Sequence, residues 1–131
     1  MTVLRASVRR EDGQTMTEFA VVLPVLCLVL FAVAQFGILF NNYVTLTDAV
    51  RAGARKAAVS RHLDEPGAEA EVKLRAAAAD LRQGDLDVTV ESDWTPGSDV
   101  VVRATYPYEI SLLGLVVQAG DLESETTERV E

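Results

Sequence analysis

The sequence holds one cysteine, one histidine and one tryptophan, and aromatic residues make up only 6% of its 131 positions. A lone Cys27 excludes an intramolecular disulfide, and its place inside an apolar run marks it as a packing residue. It is a poor lipidation site as well, because Pro24, Val25 and Leu26 ahead of it are not the small residues a lipoprotein signal uses. With His62 as the only histidine, a His-rich zinc site cannot be assembled within the chain, and the place of His62 beside a helix break marks it as a solvated loop residue rather than the base of a Ser-His-Asp triad. No Gly-rich phosphate loop is present either. The chain is therefore expected not to be an enzyme and to carry no cofactor. Positive charge is also scarce: 12 Lys and Arg face 20 Asp and Glu, for a formal net charge of -8. An acidic chain without aromatics interleaved among its basic residues is not expected to bind nucleic acid.

Apolar residues are plentiful and unevenly placed. From Phe19 to Phe40 the sequence runs 22 residues without a charge, and Gln35 is its only clearly polar interruption. At about 1.5 Å per residue this block spans about 33 Å, enough for the hydrocarbon core of a bilayer. Ahead of it stand Arg5, Arg9 and Arg10 with Glu11 and Asp12, whereas from His62 onward 16 acidic residues face five basic ones. The positive-inside tendency keeps the N-terminus cytoplasmic and exports the acidic remainder. Arg51, Arg55, Lys56 and Arg61 place some positive charge on the far side too.

The helical pattern outlasts the apolar block. Phe36, Phe40, Tyr43, Thr47, Val50, Ala54 and Ala57 recur at steps of three and four, so the spacing predicts one helix from about Met16 to about Ser60. Such a helix would offer an apolar stripe to a partner, and Pro24 would remove one of its backbone bonds. The stretch from His62 to Gly67 reads as a break. A second helix is expected from Ala68 to Gln83, burying Val72, Leu74, Ala78 and Leu81 and stopping at Gly84, with Glu69–Lys73 and Glu71–Arg75 as pairs four apart. The period then changes to two. Leu86, Val88 and Val90, a turn at Thr95 to Ser98, and Val100, Val102, Ala104 and Tyr106 predict an antiparallel hairpin. Ile110 to Ala119 reads as a packed loop or helical turn over the sheet, and Leu122 to Val130 as a third strand. The fold class is α+β, with a long N-terminal helix, a short second helix and a small antiparallel sheet.

Immediately before the apolar block stands Gly13-Gln14-Thr15-Met16-Thr17-Glu18-Phe19. A carboxylate beside hydrocarbon is costly, up to about 3 kcal/mol at a helix centre, and is best tolerated where it finds a cation. Thr15 and Glu18 also fit the capping box S/T-x-x-E, in which Glu18 closes the first turn of the helix. A glycine followed five residues later by a glutamate at the mouth of an apolar helix resembles the processing site of type IV prepilins. The likeness narrows to TadE-like proteins, the minor pilin-like subunits (pseudopilins) of tight-adherence (Tad, or Flp) pili. It is carried by Gly13-Gln14, Thr17-Glu18-Phe19-Ala20, Val22-Leu23-Pro24, Phe36-Gly37 and the TLTDAVRAGARKAA stretch from Thr45 to Ala58, and loosely by the ending from Thr126 to Glu131. Phe19 stands where many members of that family carry Tyr.

This resemblance implies a leader, residues 1–13, removed on the cytoplasmic side by a prepilin peptidase cutting between Gly13 and Gln14. It implies further a transmembrane and projecting helix over 14–61 and an exported acidic head over 62–131. The new amine at Gln14 of one chain would neutralise Glu18 of a neighbour and set the register between subunits. Phe19, Phe36, Phe40, Tyr43, Val50 and Ala54 would pack against other subunits. The partners implied are the membrane, other pilin-like subunits in a homo- or hetero-oligomer, the peptidase and a pilus assembly platform, with adhesion at the cell surface as the outcome.

Two other readings belong beside it. The Arg9-Arg10 pair, the apolar run and Ala32-Val33-Ala34 before Gln35 also resemble a removable signal peptide, which would release a secreted or anchored binding domain. The acidic residues Asp85, Asp87, Glu91 and Asp93 on one side of a strand would hold a calcium ion or face a basic patch such as Arg51, Arg55 and Lys56 of another subunit, and a solvated sheet face accounts for the same pattern.

Overall fold

The computed structural model describes residues 8–131, with side chains from Gly13 onward. Arg5 and the rest of the first seven residues of the expected leader lie outside the described residues. One helix, α1, runs unbroken over Val8–Ala58. It starts earlier than the periodicity predicts, because the polar residues ahead of the apolar block continue the helix rather than cap it. Thr15 therefore lies in the helix interior, and the capping-box role for Thr15 and Glu18 does not hold. Pro24 sits within α1.

The second helix, α2, spans Pro66–Ala77 and is shorter and earlier than expected. Pro66 does not break a helix here; it begins one, since the first helical turn needs no N–H from it. Leu74, Ala78 and Leu81 are buried as expected, but Val72 is 67% exposed and Ala70 takes the inward position. The chain leaving α2 is held by side chains: Gln83 Nε2 donates to the carbonyls of Ala78 (2.8 Å) and Leu81 (3.1 Å), and Arg75 Nη1 donates to those of Gln83 and Leu86, both at 3.2 Å. Arg75 also pairs with Glu71 at 2.8 Å, whereas Glu69 reaches across to Lys56 of α1 at 3.7 Å.

Three antiparallel strands follow in the order β1 (Asp87–Ser92), β2 (Asp99–Leu112) and β3 (Leu115–Arg129). The period-two pattern of β2 turns Val100, Val102, Ala104 and Tyr106 inward, and register pairs Val90 with Val102 and Tyr106 with Leu122. The apolar stretch from Ile110 to Ala119 is not a loop or helical turn over the sheet. It is the far end of a long β2–β3 hairpin, closed by Leu113 and Gly114 with φ of 51° and 83°. Positive φ at both turn positions is the signature of a type I′ turn, a geometry that matches the strand twist. Gly114 adopts it freely, whereas a leucine held in the left-handed region costs about 1–2 kcal/mol. Between Ile110 and Ser111 the register skips a residue of β3, a bulge that adds local twist at the tip.

The core sits between α2, the sheet and only the last part of α1. Leu46, Val50, Ala54, Leu74, Val100, Val102 and Val130 are all essentially inaccessible. The α1 face in this core is rich in small residues, namely Ala49, Gly53, Ala54, Ala57 and Ala58. A Cβ on Gly53 would meet Leu74 Cβ at 3.0 Å and the Ala70 carbonyl at 3.3 Å, so α2 can lie this close only over a glycine. Near the end of α1 the Glu131 N–H donates to the Ala58 carbonyl at 3.0 Å, while Val130 exchanges bonds with Gly97 and Ser98. β2 thus begins level with Ala58 and runs back along α1 toward its apolar half.

Candidate functional site

The N-terminal motif lies on the exposed surface of α1. Gln14 Nε2 donates to Glu18 Oε1 at 3.0 Å, and the Thr17 hydroxyl donates to the Gly13 carbonyl at 2.9 Å. Both contacts span one helical turn, so Gly13, Gln14 and Glu18 share a short stretch of one helix face. A Cβ on Gly13 would meet nothing within 4 Å. Packing among the described residues therefore gives no reason for glycine at this position.

From Gly13 to Ala34 every residue of α1 is exposed, Phe19 and Cys27 among them, and the helix is long and apolar enough to cross a membrane. None of its most apolar stretch is buried within the chain. The stripe expected from periodicity divides at its middle. Phe36, Phe40 and Tyr43 stay exposed, whereas Val50 and Ala54 are fully buried against the chain's own α2 and sheet. The inward face runs instead through Gln35, Leu39, Asn42 and Leu46 before reaching Val50.

Sequence reasoning missed the contact at the start of that face. Gln35 Nε2 donates to the Ser111 carbonyl at 3.2 Å, joining the only polar residue of the apolar block to the hairpin tip. Beyond it Leu113, Leu115, Val116 and Val117 are exposed, Leu113 by 82%. The signal was available: Glu109 and Asp121 bracket 11 residues without a charge. An open groove lies above this contact, lined by Ile38 and Asn42 of α1 and by Arg82, Tyr106, Tyr108 and Glu109 of the head. There the Tyr106 hydroxyl, and next Asp85 at 3.1 Å from Arg82 Nε, hold the Arg82 guanidinium above its ordinary pKa.

Asp87 and Glu91 lie on β1, with Asp85 before it and Asp93 after it. Among the described residues no three of His, Cys, Asp and Glu come together as ligands, and Asp85 instead pairs with Arg82. On the outer sheet face Arg103 lies between Glu123 (3.2 Å) and Glu125, whose carboxylate raises the guanidinium's pKa. The basic residues beyond the apolar block are likewise partly engaged within the chain: Arg51 pairs with Asp48 at 3.6 Å and Lys56 with Glu69. His62 is an exposed residue in the connection between the helices.

Residues 13–55 match the family described as TadE-like protein. The TadE-like segment thus begins at Gly13, takes in the whole exposed apolar length of α1 and ends two residues past the close contact at Gly53. No curated protein and no solved structure matches the chain. The head outside the TadE-like segment is known from its own geometry, a three-stranded sheet carried against a small-residue helix face.

Proposed function

We propose that the chain is a pilin-like structural subunit of a Tad-type pilus, anchored by α1 in the cell membrane with its head exported. The observation that carries this reading is the unequal covering of α1: one continuous helix, TadE-like over residues 13–55, that is exposed from Gly13 to Ala34 and built into a head from Leu46 onward. A helix apolar all round with no protein cover is suited to lipid or to a bundle of like helices. Assembly follows from that property without chemistry performed by the chain. After a prepilin peptidase removes the leader between Gly13 and Gln14, the helix waits in the bilayer. An assembly platform then draws it into a bundle, where Phe19, Phe36, Phe40 and Tyr43 pack against neighbouring subunits and the fibre supports surface adhesion.

Glu18 sets the register in this bundle. In the intact chain its partner is the Gln14 amide of its own helix, a neutral donor. Cleavage creates a cation at the Gln14 backbone nitrogen, and pairing with the Glu18 carboxylate of an adjacent subunit becomes the stronger, charge-assisted contact. Val50 and Ala54, buried in the head core, hold the subunit's own fold and not its neighbours.

N-terminal sequencing of the protein from its native membrane tests the processing step: Gln14 as first residue supports the reading, while Gln35 indicates an ordinary signal peptide and overturns it. Glu18→Ala is expected to leave membrane insertion intact and abolish fibres sheared from the cell surface. Undiminished fibres in that variant would refute the register role.

A further inference from the structure

The turn of the β2–β3 hairpin reaches past the head-proximal end of the apolar block of α1, and that overlap has a physical reading. Gln35 lies five residues short of Phe40, about 7 Å inside the apolar block measured from its head-proximal end. Its amide holds the Ser111 carbonyl at 3.2 Å. β2 reaches that point travelling antiparallel to α1, from the level of Ala58 down to Gln35, so Leu113 and Leu115 lie further along the same course.

We infer that the hairpin tip, residues 112–117, is a second membrane anchor that enters the lipid leaflet nearest the head to the headgroup–acyl boundary. The occupant of its apolar surface is lipid. This rests on the reading that α1 crosses a membrane, because it is the depth of Gln35 in that span that brings the tip to the bilayer.

Three observations converge on lipid. The tip presents Leu113, Leu115, Val116 and Val117 to the surroundings, with no charge between Glu109 and Asp121. A water-exposed type I′ turn favours Asn or Asp where this chain holds Leu113 at φ 51°. A leucine kept there against its backbone preference is suited to an apolar surrounding. Finally, Gln35 is the one polar side chain of the block, and its amide satisfies a carbonyl that would otherwise face hydrocarbon. The depth is limited too. A two-stranded hairpin has unpaired edges, which hydrocarbon does not tolerate, so the tip lies where amphipathic elements settle, about 5–10 Å into the boundary. Gln35 and the Ser111 carbonyl that it holds, at the base of the tip, lie within that range.

The test uses the full chain with Cys27→Ala, reconstituted in vesicles of phosphatidylethanolamine and phosphatidylglycerol carrying a fraction of nitroxide-labelled lipid. An environment-sensitive dye is attached in turn at Leu113→Cys, Leu115→Cys, Leu30→Cys and Thr95→Cys. The dyes at 113 and 115 are expected to lose most of their emission to the lipid nitroxide, as the dye at 30 does, while the dye at 95 is quenched only by aqueous iodide. Iodide quenching at 113 and 115, with position 30 still in lipid, overturns the inference and leaves the crossing of α1 standing. Protection of 113 and 115 from both quenchers means that protein covers the tip, a second copy of this chain being the available cover, and also overturns it. If position 30 is itself reached by iodide, the crossing fails and the tip's insertion fails with it.

Discussion

The two halves of α1 share one backbone and almost nothing else. From Phe19 to Ala34 the helix is built mostly from Leu, Val, Phe and Ala and is exposed on every side; from Leu46 to Ala58 it is built largely from Ala, Gly and a few larger residues and is packed on one side to zero exposure. Bulk is thus placed where no part of the chain covers it and is withheld where α2 must lie close. Burial inside the fold demands fit, since interiors are close-packed, whereas a bilayer conforms to any apolar outline. The same hydrophobicity therefore has different consequences for stability on the two sides of Leu46.

The sharpest way to break this contrast is to hollow the packed half. Leu74→Ala should lower the stability of the head by about 3 kcal/mol, read by denaturant unfolding in detergent. Overfilling the same contact comes next: Gly53→Val, which drives a side chain into Leu74 and the Ala70 carbonyl, should cost about 2 kcal/mol and raise amide exchange throughout α2. Removing the bridge between the halves has a smaller effect. Gln35→Leu should cost about 1 kcal/mol and raise exchange at the hairpin tip while leaving the core amides unchanged. The bare half should scarcely respond. Val29→Ala is expected to change head stability by less than about 0.5 kcal/mol, and a larger loss would show that the head leans on the apolar shaft.

The long helix was legible because its signal is redundant: a 22-residue apolar block followed by a three-four rhythm leaves no room for another element. The first hairpin was legible as well, since Val88 and Val90 alternate opposite Val100 to Tyr106 around a Pro-Gly turn. Which residues of α1 face inward was not. Phe36, Phe40 and Tyr43 share a period with Val50 and Ala54, and only the placement of the sheet, which meets the helix through Gln35, Leu39 and Asn42, separates them. The start of α2 was missed because Pro66 reads equally as a breaker or a first-turn residue. The hairpin end was missed for a deeper reason. Alternation marks a strand with one wet and one dry face, and the residues from Leu113 to Val117 have no dry face in the chain at all. Of the candidate site, Gly13, Gln14 and Glu18 stood out by their position before the apolar block, whereas the Gln35 to Ser111 contact joins positions 76 apart and only folding brings them together.

A helix that continues into the core carries the head's orientation with it. Because α1 passes from the apolar shaft into the core with no break between Gly13 and Ala58, and α2 grips it at Gly53, the head cannot swivel on its stalk. Between Pro24 and the head the axis is tied to the sheet by the Gln35 amide as well as by the helix backbone, while at Pro24 itself one backbone bond of the helix is missing. From Gly53 back to Pro24 the direction of the helix therefore follows the direction of the head that holds it.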